Sequence, residues 1–264
     1  MTSAVGVLSG VKVIVTRAAE QAGGFIRMLE SAGAEVVEFP TIMTVPPEDY
    51  GPLDGAIGRL GGFDYVIFTS VNAFLFFTNR LGELGGKAGD LKGLGIIAVG
   101  PKTAAALEAS GLKPDIVPEE FKAEGILAAL EGRDIKGKRF LYPRAEGARE
   151  VIAERLREKG ATVEAPVAYR TVAPEIDRTK LKETLGGAAR TVITFTSSST
   201  VRNFMEAAGE DIKGYLDRIT VACIGPVTAK TCEEAGLPVR VVPADYTVDA
   251  LFLALTDYFK KEKW

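Results

Sequence analysis

Histidine is absent from this 264-residue chain. That single absence removes Ser-His-Asp triads, Cys-His dyads, imidazole proton shuttles and most catalytic zinc sites. Cysteine is scarce as well: Cys223 and Cys232 are the only two, and their spacing fits neither a CxxC motif nor a metal-ligand pattern. Cys223 falls in an expected strand and Cys232 in the helix after it, which makes both small buried hydrophobes. No apolar run is long enough to span a bilayer. The first residues lack the basic start, apolar stretch and small-residue cleavage site of a signal peptide, so a cytoplasmic protein is expected. Excess positive charge is also missing, since 32 Lys and Arg face 35 Asp and Glu for a net charge of −3. A broad basic face for nucleic acid is thereby excluded, and an anionic ligand must be held by local donors. Neither GxxxxGK[ST] nor GxGxxG follows any strand, which counts against ATP and dinucleotides.

What the chain does contain is a duplication. Phe68-Thr69-Ser70 recurs as Phe195-Thr196-Ser197 and Arg17-Ala18 as Arg144-Ala145, both at an offset of 127 (195 − 68 and 144 − 17). Gly100-Pro101-x-Thr103-Ala104 recurs as Gly225-Pro226-x-Thr228-Ala229 at an offset of 125 (225 − 100). A repeat of this size is a whole lobe rather than a solenoid unit. It predicts two similar lobes with a ligand-holding cleft between them.

Periodicity gives the elements. Apolar, β-branched runs at 11–16, 65–70, 95–99 and 115–118 are expected strands. Helices follow them, the first ending at Gly33 and the others over 72–81, 102–109 and 122–130. The second copy places strands near 139, 161, 191, 219 and 239, each followed by a helix except the one near 161, which runs into a linker. Strict alternation implies an α/β fold: parallel-sheet lobes with helices on both faces. Two extended, proline-bounded stretches, 39–47 and 166–174, are too long for ordinary turns and read as crossings between lobes. Residues 1–39 with 174–264 would then form one discontinuous lobe and 46–164 the other, with 40–45 and 165–173 as linker strands. Loop 82–93, which holds five glycines, is expected to be a mobile surface segment.

In an open parallel sheet, ligands gather at the carboxyl ends of the strands, where the next helices present unpaired amides. Ser70, Val71 and Asn72 stand at one such end, and Ser197, Ser198 and Ser199 at its duplicate. Gly100 and Gly225-Pro226 repeat the device, with Thr103 and Thr228 adding hydroxyls in the first helical turn. These residues suit a carboxylate or phosphate held without formal charge. Each also serves equally well as an ordinary helix cap. Arg17, Arg144 and Arg149 follow strand ends, where an arginine either forks onto a ligand carboxylate or pairs with a neighbouring Asp or Glu. Tyr169 lies on the second crossing, and its counterpart 127 positions earlier is Ile42, so a polar group breaks the duplication there. A phenol with a reference pKa of about 10 suits a hydrogen-bond donor or general acid, although tyrosine is also a common half-buried strand residue.

The segments VTR, FTSVNAF, VGPKTA, PVAYRT, FTSSSTVRNF and IGPVTAKTCEEAGL, in this order over nearly the whole chain, resemble the uroporphyrinogen-III synthase family. The resemblance implies two flavodoxin-like lobes joined by a two-stranded linker, and an N-terminal unit that belongs with the C-terminal region. It implies a lyase that closes hydroxymethylbilane, a linear tetrapyrrole with eight carboxylates, into uroporphyrinogen III. Water is lost and the last ring is inverted through a spiro intermediate, with no metal or organic cofactor. It further implies that Tyr169 assists departure of the hydroxyl and that Thr103, Ser197 and Thr228 line the cleft. The chain departs from some relatives at Val227, where they carry threonine, and at Asn72, where they carry arginine. A monomer is expected, with at most transient contact with the preceding enzyme. The rival readings are a two-lobed binding module that senses a tetrapyrrole or small anion without catalysis, and a nucleotide-sugar transferase, against which the missing phosphate loops count.

Overall fold

The structure is a computed structural model that describes residues 6–120, 123–187 and 190–262. The chain begins with β1 (Val11–Val15), α1 (Ala19–Ser31) and β2 (Glu35–Glu38), then enters a crossing that carries β3 (Met43–Val45). Next come α2 (Gly51–Ile57), β4 (Tyr65–Phe68), α3 (Val71–Glu83), β5 (Gly95–Ala98), α4 (Pro101–Ala109) and α5 (Ala123–Ala129). They are followed by β6 (Arg139–Leu141), β7 (Arg144–Ala145), α6 (Val151–Glu158) and β8 (Thr162–Glu164). The second crossing is β9 (Val167–Val172). It leads to α7 (Arg178–Gly186), β10 (Arg190–Phe195), α8 (Ser198–Ala208), β11 (Ile219–Cys223), α9 (Pro226–Glu234), β12 (Val239–Val241) and α10 (Val248–Lys261).

Two compact units result. Residues up to Met43, together with those from Val172 onward, form unit 1, and Thr44–Thr171 form unit 2. Unit 1 holds a parallel sheet of order β12-β11-β10-β1-β2. Unit 2 holds a parallel sheet of order β5-β4-β6-β8. The two crossings share a small third sheet, β3-β9-β7. Matching the repeats aligns β10 with β4, β11 with β5, β1 with β6 and β2 with β8, so both sheets have the same strand order although the chain enters them at different points.

Period-2 alternation fills two cores per sheet. In unit 1, Val13, Val15, Val192 and Ala222 pack with Phe25 and Leu29 of α1 and Leu251, Leu255 and Phe259 of α10. Ile14, Ile193, Phe195 and Val221 point the other way, onto Leu181 and Leu185 of α7 and Phe204 of α8. In unit 2, Val66, Phe68, Ile96 and Leu141 meet Phe74 and Phe77 of α3, while Ile67, Ile97, Phe140 and Val163 meet Ile126 and Leu156. The duplicated phenylalanines keep their role: Phe68 meets Phe74 edge-on at 5.3 Å, and Phe195 meets Phe204 edge-on at 5.4 Å. Burying each ring fully stabilises the fold by about 1.5–3 kcal/mol. Buried hydroxyls bind the first crossing to unit 1, because Thr41 donates to Thr16 O and Thr200 O, and Thr16 donates to Thr194 O.

The structure departs from the sequence reading in several places. The strand expected at 115–118 reduces to a single bridge, Ile116 to Ile97. Pro114 and Pro118 flank it and remove the amide donors that a longer ladder needs. The helix expected over 122–130 is α5, and residues 121 and 122 lie outside the described residues. Segment 82–93 is anchored rather than bare: α3 runs to Glu83, and a 3₁₀ turn spans Ala88–Gly93. Within that turn the Asp90 carboxylate accepts the Lys87 N–H at 2.8 Å, and Leu91 is fully buried.

Candidate active site

In unit 2, β4 and β5 are adjacent parallel strands, so the turns after Phe68 and Ala98 share one edge of the sheet. Ser70 sits between β4 and α3 in extended backbone (φ −155°, ψ 158°), and its Oγ caps the helix by accepting the Ala73 N–H at 3.0 Å. Val71 and Asn72 form the first turn of α3, both half-buried. Gly100 precedes Pro101 with φ 89°, a left-handed value that a side chain would oppose. Thr103 lies one turn on and is buried. No partner of its hydroxyl is found among the described residues.

Tyr169 reaches the same turn from β9. Its Oη lies 3.2 Å from Ser70 Oγ, and its ring stacks on Phe76 of α3 with centroids 5.5 Å apart and planes 20° from parallel. The backbone is held too: the Glu146 N–H donates to Tyr169 O at 2.8 Å. The β7–β9 register shifts between Arg144, paired with Val167, and Ala145, paired with Tyr169. Such irregularities re-aim side chains beside active sites. Two residues of this cluster escaped the sequence reading. Phe76 is one, and the other is Tyr142, which is almost fully buried and interacts with the Thr69 side chain. Burial pushes the Tyr142 phenol above its ordinary value, opposed by Thr69 and by the charge of Arg144. The signal that could have found Phe76 is its place in α3, two turns from the Ser70 cap and on a partly exposed face.

In unit 1, Arg17, Ser197 and Gly225 follow β1, β10 and β11, three neighbouring parallel strands. Ser197 repeats the extended cap (φ −164°, ψ 159°), but its hydroxyl is engaged within its own turn. It accepts the Thr200 N–H at 3.2 Å and lies 2.9 Å from Ser199 Oγ, while Thr200 Oγ1 accepts the Ser197 N–H. Ser198 and Thr231 hydroxyls meet at 2.7 Å and join α8 to α9. Gly225 has extended backbone (φ −174°), so conformation does not require glycine there. A Cβ at Gly225 would stand 3.0 Å from the ring of the exposed Tyr246, which would have to shift by a few tenths of an ångström. Pro226 opens α9, and Thr228 is buried in its first turn with no hydroxyl partner among the described residues.

The three arginines fare differently. Arg144 is fully engaged: Nε donates to Ala165 O, Nη1 to Ala148 O and Nη2 to the Glu150 carboxylate. Arg149 is exposed. Arg17 is half-buried, its Nη2 donates to Gln21 Oε1 at 3.0 Å, and its buried Nε finds no acceptor among the described residues. Burial lowers the affinity of this guanidinium for its proton. A desolvated cation with an orphaned donor is costly to hold without an acceptor. A concavity of about 1180 Å³ in unit 1 lies elsewhere, at the amino-terminal ends of β10, β11 and β12. The helix starts after β10 and β11 lie at the opposite, carboxyl ends of these strands. Among the described residues no cluster of three or more Cys, Asp or Glu side chains is arranged to hold a metal ion.

Comparison with known proteins bears on the family and the fold. The family model for uroporphyrinogen-III synthase HemD matches residues 24–252. Uroporphyrinogen-III synthase of Synechococcus elongatus is 37% identical over 259 residues, covering 96% of this chain and 97% of its own. The enzyme of Chlorobaculum parvum is 31% identical over 252 residues, covering 94% and 99%. Among solved structures, uroporphyrinogen-III synthetase of Helicobacter pylori shares the fold at TM-score 0.60 and 21% identity, covering 93% of this chain and 98% of its own. A mutant uroporphyrinogen III synthase of Thermus thermophilus does so at TM-score 0.54 and 20% identity, covering 96% and 100%. A family model over most of the chain and a relative of this identity along its full length make the chain a member of the uroporphyrinogen-III synthase family.

Proposed function

We propose that Tyr169 is the proton donor with which this synthase starts the closure of hydroxymethylbilane, and that Arg17 with the helix-start donors holds the carboxylates of the chain. The step balances without a cofactor. The C–O bond of the hydroxymethyl group breaks with its electron pair going to oxygen, and the Tyr169 proton completes a water molecule. The pyrrole nitrogen lone pair feeds the carbon left behind, giving an electrophile that the substituted carbon of the last ring attacks. Rearrangement through the spiro intermediate ends with loss of a proton, which restores the phenol. Because the bilane also closes unaided to the other isomer, the remaining task is geometric: a fixed substrate conformation converts a choice of routes into one.

The observation that carries this reading is the Tyr169 phenol, fixed by Ser70 and Phe76 at the carboxyl edge of the unit 2 sheet. Neutral donors suit a polycarboxylate on a chain of net negative charge: the amides at the starts of α3, α4, α8 and α9, and the free hydroxyls of Thr103 and Thr228. Asn72 belongs to this set, as do Val71, Gly100, Ser198, Ser199 and Gly225 through their backbone, while Pro226 has no N–H to donate and only shapes the start of α9, Arg144 braces the turn and Arg149 offers an exposed charge. The protein works as a cytoplasmic monomer that takes its substrate from solution or from the preceding enzyme. The test is incubation with freshly generated hydroxymethylbilane, oxidation of the product and separation of isomers I and III. Isomer III is expected. Tyr169→Phe should lower its rate of formation roughly 10- to 100-fold, about 1.4–2.7 kcal/mol of transition-state stabilisation, with the fold intact. Isomer I alone at the spontaneous rate would leave a binding module, and unchanged turnover in the variant would remove Tyr169 from the mechanism.

A further inference from the structure

The 3.2 Å contact between Ser70 and Tyr169 can run in either direction, and the two directions have different chemical consequences. A serine hydroxyl has one proton to donate and two lone pairs to accept with. One lone pair of Ser70 is already engaged by the Ala73 N–H at 3.0 Å, as the cap of α3. The Ser70 proton needs an acceptor, and Tyr169 Oη is the one within reach among the described residues. The reverse polarity would commit the single phenolic proton to a protein oxygen and leave nothing for a ligand.

We infer that Ser70 is a positioning residue which donates its hydroxyl proton to Tyr169 Oη, leaving the phenolic O–H free to face the departing hydroxyl. The inference rests on the reading of Tyr169 as proton donor and adds a specific partner to it. Ser70 and Phe76 act on different degrees of freedom: the stacked Phe76 ring fixes the plane of the phenol, and Ser70 fixes the rotation of its O–H. The hydrogen bond also strengthens as the proton leaves, because a phenolate accepts it with full charge. An interaction stronger in the transition state than in the ground state raises kcat rather than lowering KM. A direct ligand of a substrate carboxylate would do the opposite.

The experiment is a double-mutant cycle on the intact chain, with kcat and KM measured for isomer III formation. The variants are Ser70→Ala, Ser70→Thr, Tyr169→Phe and Ser70→Ala combined with Tyr169→Phe. Ser70→Ala should lower kcat roughly three- to tenfold with KM within about twofold. Ser70→Thr, which keeps both the cap and the hydroxyl, should recover most of the loss. In the Tyr169→Phe background the same Ser70→Ala change should cost no further rate. Loss of the cap itself is read separately as a lower Tm, and Ser70→Gly, which helix N-termini tolerate well, replaces Ser70→Ala if that variant folds poorly. A Ser70→Ala effect that multiplies undiminished onto Tyr169→Phe overturns the inference while leaving the proton-donor reading intact, and so does an effect confined to KM. Full activity of Tyr169→Phe overturns both.

Discussion

Arg17 and Arg144 descend from one position in the duplicated lobe, and their surroundings have drawn them apart. Arg144 is enclosed by acceptors: two backbone carbonyls and the Glu150 carboxylate engage all three nitrogens of its guanidinium. Arg17 has one amide oxygen and a buried Nε with nothing among the described residues to donate to. The serine turns diverged in the complementary direction. Ser197 is engaged by Ser199 and Thr200 within its own helix start, whereas Ser70 reaches out to a phenol 99 residues away. Unit 2 therefore holds a phenol against its strand-end serine, and unit 1 holds an arginine whose Nε has no acceptor among the described residues. Duplication provided two similar strand edges, and each has diverged around a different side chain.

The largest expected effect tests that asymmetry in its phenol. In a Tyr169→Phe background, placing a phenol at the duplicate position with Ile42→Tyr should leave the roughly 10- to 100-fold loss of isomer III formation unrepaired, since the Ser197 hydroxyl is already engaged. Recovery of even half the rate would mean that the two edges are interchangeable. The arginines give the next effect, with opposite signs. Arg17→Met should raise KM about tenfold while leaving Tm equal or higher, because a half-buried cation lacking an ionic partner costs stability until a ligand arrives. Arg144→Met should instead lower stability by about 1–2 kcal/mol in denaturant titrations, with a smaller rise in KM than Arg17→Met gives.

The smallest effect concerns acid. Asp54 is held below the usual carboxylate range by its hydrogen bonds from Arg80, and Asp64 by the Arg139 backbone N–H and then by Lys138. Both lie in unit 2. A carboxylate with a depressed folded pKa contributes stability that is complete above its unfolded value, near 4, and is lost as pH falls through the folded value. Amide hydrogen exchange in peptides covering α2 and β4 should therefore accelerate as pH drops below about 4, after correction for intrinsic rates. Asp64→Asn should flatten that dependence.

Much of the sheet architecture was legible because strands buried on both faces show as continuous β-branched and aromatic runs, as in β10 and β4. Short elements were not. The helix α2 hides behind Gly51, Pro52 and Gly55, and forms because Leu53, Ala56 and Ile57 are drawn into the core. The strand β7 is two residues long, and its pairing with β9 decides it rather than its own propensity. At the site, Tyr169 stood out in sequence as a break in the repeat. Its contact with Ser70 did not, because that depends on where the α3 cap holds the Ser70 hydroxyl. Nor could sequence separate Arg17 from Arg144, since two of the three acceptors that distinguish them are carbonyl oxygens.

The permuted strand order has a consequence for how this protein is made. Ile14 of β1 pairs with Ile193 of β10, 179 positions later (193 − 14). At translation speeds of 5–20 residues per second, the first strand waits roughly 10–40 s for its neighbour to leave the ribosome. Unit 2 is contiguous and can complete its sheet during that interval. A nascent chain arrested before β10 would display a finished second unit together with a β1–β2 pair whose other hydrophobic edge is still open, the species on which chaperones should act.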